Sequence, residues 1–382
     1  MEPMKRAANI IFSILLKLEK RNLILNLLVL AVLVSGVTIV FNNYHWYDKT
    51  IVNIEKAENT LTDRSKTSGK GEKYFSQAIT GTIMNGDYQG EKAYLSNRFS
   101  SSNLLDDQYN PGDEVFAKIN ANENGRLEGY VTGLKRDKYT AILASLLIWL
   151  LIVLIRKKGL FFIISLVINI ASLGYALHLN HNGLNILTLS NCLVLIFTFI
   201  SLLFICGINR KAMAATLSTL ITLVFTMVLF QITLANTDGI DYTYMEYIAG
   251  ENNLSQLFLS QILIGSLGAI MDVAVTEASA LNELILKNPE ISAKELIQSG
   301  REVGYDIMGT MINIMLFAYL CGAFPLIILK LKNNIGLNTI ILSQLPMELY
   351  RFLIGSIGIL LAIPITVFIS ILTMKKGKGS AC

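Results

Sequence analysis

In the stretch GSLGAIMDVAVTEASALNE, Gly265 to Glu283, an aspartate sits in the middle of an apolar run, and glutamates follow at 277 and 283. An ionisable group at that depth is costly, so it faces protein or a water-filled interior and is paired, neutral or functional. The chemistry on offer is proton exchange. At helical spacing Gly265, Gly268, Thr276, Ser279 and Glu283 share the face of Asp272, which is therefore small and polar along its length. Thr310 and Asn313, one turn apart in the next apolar run, are natural hydrogen-bond partners for the carboxyl. Two readings of Asp272 stand: a group that takes up and releases a proton, or a hydrogen-bonded group that glues helices together. Glu277 and Glu283 read as acids marking the cytoplasmic end of the span.

Placing such a carboxyl requires helices in a bilayer, and the composition supplies them. The chain has 382 residues, 53% hydrophobic and 16% charged, with a mean hydropathy of +0.52, too apolar for an ordinary soluble protein. About eight apolar runs are long enough to cross a hydrocarbon core as helices. They are residues 23–40, 141–155, 160–177, 187–206, 212–234, 257–280, 307–329 and 352–372. Gly265 with Ala269 and Ala274 with Ala278 have the small-residue spacing that lets such helices approach closely. Asn169, Asn191, Thr226 and Gln231 extend a possible polar core.

Lys and Arg cluster before the first run, at 156–158, at 210–211 and in the tail at 375–378, all on one side if eight spans alternate. That side is the cytoplasm, so both termini face in. Lys330 and Lys332 fall on the other side. The basic, amphipathic ANIIFSILLKLEKR and the run after it read as an uncleaved anchor, since no small-residue cleavage site follows.

Between the first two spans, residues 43–138 hold 27 of the 60 charged residues and form an aqueous domain outside the membrane. QAITGTIM and EKAYLSNRF flank NGDYQG as a hairpin, and PGDEVFAKI and GYVTGLKR add two strands. A small barrel or sandwich of the OB or SH3 kind is expected, with residues 52–74 polar and partly loop. Between the sixth and seventh spans, Asn288-Pro289 makes a turn, and Ser292 with Glu295 has capping-box spacing. This predicts an amphipathic helix, near 290–303, lying on the inner membrane surface. The expected fold is thus an all-α polytopic membrane protein with a small extracytoplasmic β domain.

Other chemistry has little to stand on. There is no P-loop, Ser-His-Asp arrangement or HExxH, so no enzyme and no cofactor are expected. His178 and His181 read as solvated turn residues, and Asp238, Asp241, Glu246 and Glu251 as a solvated external loop with Tyr242, Tyr244 and Tyr247 as interface anchors. Cys192, Cys206, Cys321 and Cys382 form no disulfide framework. Pro325 and Pro364 fall inside the last two spans, where each removes a helical hydrogen bond. Nothing points to nucleic acid.

GAIMDVAVTEASALNE and LIGSIGILLAIPIT, at 268–283 and 353–366, resemble the YibE/F-like family of bacterial membrane proteins over nearly the whole chain. The resemblance implies an anchor helix, a small external β domain and a multi-span region in the plasma membrane, and no established activity. More distantly, Gly268, Asp272, a carboxylate at 277 or 283 and the helix from Ser292 to Arg301 are similar in order to a span of resistance-nodulation-division transporters and of SecD and SecF. There the aspartate belongs to a proton relay, which is what the resemblance implies for Asp272. Val273 follows where that pattern often has a second acid, and the external domain is far smaller than a porter domain. Such five-helix units work in pseudo-symmetric pairs, so one unit implies a second copy or a paralogue as partner. The resulting expectation is a proton-coupled transporter or transport-energising subunit of unknown substrate. The rival is a receptor, scaffold or assembly factor that binds a partner through its external domain.

Overall fold

A computed structural model describes residues 20–64, 73–103, 106–121, 126–236, 242, 254–343 and 345–375. The basic N-terminal segment, most of the acidic loop at 238–251 and Cys382 lie outside the described residues. The chain divides into two compact units, Met1–Arg156 and Lys157–Cys382.

In the first unit, helix α1 (Lys20–Phe41) leads through a 3₁₀ turn at Tyr44–Trp46 into five strands, and helix α2 (Asp137–Ile155) follows them. The strands are β1 (Thr50–Arg64), β2 (Lys73–Ile83), β3 (Lys92–Ser100), β4 (Glu114–Ala121) and β5 (Leu127–Leu134). They close as a barrel in the order β1-β2-β3-β5-β4, with β3 and β5 parallel and the other pairs antiparallel. This is the small barrel expected, and its Greek-key closure fits the OB alternative. Alternating residues such as Val52, Ile54, Ile79, Leu95, Val115 and Leu127 fill its core. The loop between β2 and β3 turns with Gly86 and Gly90 at φ of 82° and 90°, a region that favours glycine.

Of the stretch expected to be polar and partly loop, residues 65–72 lie outside the described residues. Up to Arg64 it is strand, because β1 pairs with β2 out to that residue and with β4 at its start. Val52 and Ile54 point into the barrel, while beyond Ala57 the strand is held by its ladder to β2 and carries polar side chains on an exposed surface.

The second unit contains α3 (Lys157–His181), α4 (Ile186–Cys206), α5 (Arg210–Ala235), α6 (Leu254–Lys287), α7 (Ala293–Lys332), the short α8 (Leu337–Ser343) and α9 (Leu345–Ser370), which ends in a π turn at Ile371–Lys375. Among the described residues, seven helices, α2 to α7 and α9, are long and apolar enough to cross a membrane, and the apolar part of α1, Asn26–Phe41, is shorter. α6 is central, packing against α4, α5, α7 and α9. Ile270 and Val273 of α6 meet Ile359 and Ala362 of α9 in the largest helical core.

The polar helix expected on the membrane surface is instead the first part of α7. Ser292 caps it with a full capping box, and the helix runs unbroken for 40 residues. Nothing between Arg301 and Ile307 stops the hydrogen-bond ladder. Leu296, Gly300 and Gly304 are buried against the bundle, so this segment packs on protein.

Candidate functional site

The carboxyls of α6 lie in two different settings. Asp272 and Glu277 are five residues apart, which places them about 140° apart around the helix. Asp272 and Thr276 are exposed on an outward face, whereas Glu277 is 0% exposed. Neither carboxyl oxygen of Glu277 has a hydrogen-bond partner among the described residues.

Glu277 is enclosed because three helices converge on it without side-chain bulk between them. A Cβ on Gly300 of α7 would lie 2.7 Å from Glu277 Oε1 and 2.6 Å from Val367 Cγ2 of α9. One turn on, Gly304 meets Ile363 of α9. Glycines four apart let two helix backbones come close, and here they bring α7 onto α9 with the glutamate in the seam. On α9, Thr366 and Ser370 are fully buried, and their hydroxyls also lack partners among the described residues.

The polar core of the bundle continues along α5, where Ser218, Thr219, Thr222 and Thr226 are buried. Three of them donate to the carbonyl four residues back at 2.7–2.8 Å, and Thr222 Oγ1 has no partner among the described residues. Thr226 was expected in a polar core. Asn191 and Gln231 are exposed, and Asn169 bonds Ser201 at 2.9 Å between α3 and α4.

Of the other residues singled out in the sequence, Ser279 is half-buried and Glu283 exposed on α6, and Thr310 and Asn313 are exposed on α7. Thr310 donates to the Ile307 carbonyl at 2.8 Å. The structure records no hydrogen bond between Asp272 and either Thr310 or Asn313. Among the described residues no cluster of His, Cys, Asp or Glu could hold a metal, and His178 has Asn182 as its neighbour at 3.4 Å.

In the first unit an ionic cluster joins the barrel to the ends of α1 and α2, and sequence reading passed over it. The Lys135 side chain is fully buried, with Nζ 3.0 Å from Asp137 and 3.5 Å from Glu114. Lys138 pairs with Glu114 at 2.5 Å. Tyr44 donates to Glu114 at 2.5 Å, and Tyr47 and Asn43 donate to Asp137 at 2.9 and 3.0 Å. Lys135 Nζ also lies 5.3 and 5.7 Å from the Tyr44 and Tyr47 ring centres, within cation–π range. Burial, followed by the adjacent carboxylates, pushes both phenols above their ordinary range. Asn85 fixes the same joint, donating to the carbonyls of Tyr44, Tyr47 and Lys49 and accepting from Ile51 N–H. A signal was present in the sequence: aromatic YHWY just after the first span, and KRDK just before the second.

Residues 143–376 match the protein family described as YibE/F-like protein, and residues 45–134 match the YibE/F family N-terminal domain. No curated protein and no solved structure matches.

Proposed function

The chain belongs to the YibE/F-like family, and from that premise and the carboxyls of α6 we propose that this integral membrane protein is a proton-coupled transporter or the energising subunit of one. The observation that supports this is the enclosed Glu277, whose carboxyl has no hydrogen-bond partner among the described residues. A bare carboxylate in a low-dielectric interior is strongly disfavoured, so Glu277 must hold a proton or receive a cation. Any motion that opens the Gly300 seam changes that requirement, which couples protonation to helix position.

Asp272 is the second proton-exchanging group, on the outward face of the same helix. A carboxyl facing lipid is costly, so this face, with Thr276 beside it, is covered by a second copy of the chain or a paralogue. The basic clusters support a reading in which the protein lies in the bacterial plasma membrane with both termini cytoplasmic.

The test needs no substrate. Protein reconstituted on a solid-supported membrane should give a transient charge displacement after a pH jump, and Glu277→Gln and Asp272→Asn should each reduce it. Equal transients in wild type and both variants would remove the proposal and favour a receptor or scaffold role for the external barrel.

A further inference from the structure

A groove of about 440 Å³ opens between α7 and α9, of a size that takes a small ligand. Its walls are almost wholly apolar, including Met308, Leu360, Ile363, Pro364 and Val367, with Arg301 and Tyr305 also lining it. Gly300 lies level with Val367 and Gly304 with Ile363, so the two helices run antiparallel: Ile297 and Ile371 mark one end of the groove, Arg301 lies about one turn in from it, and Met308 and Leu360 mark the other end. From Val367, level with Arg301, to Leu360 the helix rises about 10 Å, a length that takes the upper part of an acyl chain in a leaflet about 15 Å deep.

Arg301 gives the groove a chemical preference. It is exposed, its Nε donates to Tyr305 Oη at 2.6 Å, and among the described residues no carboxylate lies within ion-pair distance of it. It sits six residues, about 9 Å, before Ile307, where the apolar part of α7 begins, on the polar side of that boundary. Its guanidinium can present a planar fork to a phosphate, and Tyr305 is an amphipathic anchor of the kind found at membrane interfaces.

We infer that this groove binds one anionic phospholipid, its acyl chain between α7 and α9 and its phosphate on Arg301. This inference stands apart from the proton-coupling proposal, because it uses only the groove and its basic end. If both hold, the lipid rests on Val367 and Ile363, the side chains seated on Gly300 and Gly304, and its occupancy bears on the seam that encloses Glu277.

The test is native mass spectrometry of the full-length protein in detergent, titrated with phosphatidylglycerol and with phosphatidylcholine of identical chains. Wild type should retain phosphatidylglycerol in preference to phosphatidylcholine. Arg301→Gln should weaken phosphatidylglycerol binding about tenfold, the scale of one lost charge-assisted hydrogen bond, and Lys332→Gln at the far end of α7 should not. Leu360→Trp, which fills the groove, should weaken both lipids. Soluble glycerol phosphate should not compete; if it does, the site takes a free anion and the lipid assignment fails. Equal retention of the two lipids by wild type, or unchanged binding in Arg301→Gln, would overturn the inference.

Discussion

Glu277 of α6 and Gly300 of α7 occupy one space: the position a Cβ would take on the glycine is 2.7 Å from the glutamate's Oε1. Contact that close is available to no other residue type, so the glycine sets how tightly the carboxyl is enclosed. Gly300→Ala must push aside both Glu277 and Val367, and overpacking of this kind costs about 1–3 kcal/mol. Gly309 has open space around its Cβ position, so Gly309→Ala should be neutral or stabilising by up to about 1 kcal/mol. Thermal unfolding of the two purified variants should separate them in that order.

The cluster around Lys135 should be the most sensitive ionic feature of the first unit. Lys135→Met leaves Glu114 buried with one cation fewer, and removing one member of a buried ion pair costs about 3–5 kcal/mol. Hydrogen exchange of the full-length protein should show lost protection in β4 and around Tyr44 to Ile51. A Lys332→Met control should show no change there.

Alkaline pH should act on the same joint. With the folded phenols raised above the ordinary value of about 10, the folded state binds more protons than the unfolded state above that pH. Stability is therefore fully present below about pH 10 and falls as pH rises toward the folded values. In a spectrophotometric titration, the phenolate absorbance that Tyr44→Phe removes should be missing near pH 10 and emerge well above it. A difference that titrates at pH 10 would show Tyr44 to be solvated.

Covering of the Asp272 face can be tested by cross-linking. In a background lacking the native cysteines, Thr276→Cys should form a disulfide-linked dimer in native membranes if a second copy covers the face. If a paralogue covers it, the thiol should be protected from polar reagents with no homodimer formed. A thiol that neither cross-links nor is protected would contradict the partner assignment.

Much of the architecture is legible in the sequence because it depends on local pattern. Apolar run length places the spans, alternation and the NGDYQG turn place β2 and β3, and Ser292 with Glu295 marks the start of α7 within a residue. What is not legible depends on neighbours. The polarity of residues 292–306 describes solvent exposure on one side and is silent on Gly300 and Gly304, which seat the other side against α9. The choice between Asp272 and Glu277 turns on about 140° of helix rotation, and which face is enclosed is decided by glycines far along the chain. The polar second half of β1 shows no alternation because its hold is a backbone ladder. Lys135 is missed for a related reason, since a charged residue flanking a span reads as exposed until Glu114, some twenty residues earlier, is brought beside it.

The most direct test of the central claim is infrared difference spectroscopy of the reconstituted protein over a pH titration, following the protonated-carboxyl band. With protonation coupled to helix position, the band should change with pH together with backbone amide bands, lose one component in Glu277→Gln and lose a second in Asp272→Asn. A carboxyl region unchanged over the accessible range, or one that titrates identically in wild type and both variants, would contradict that claim.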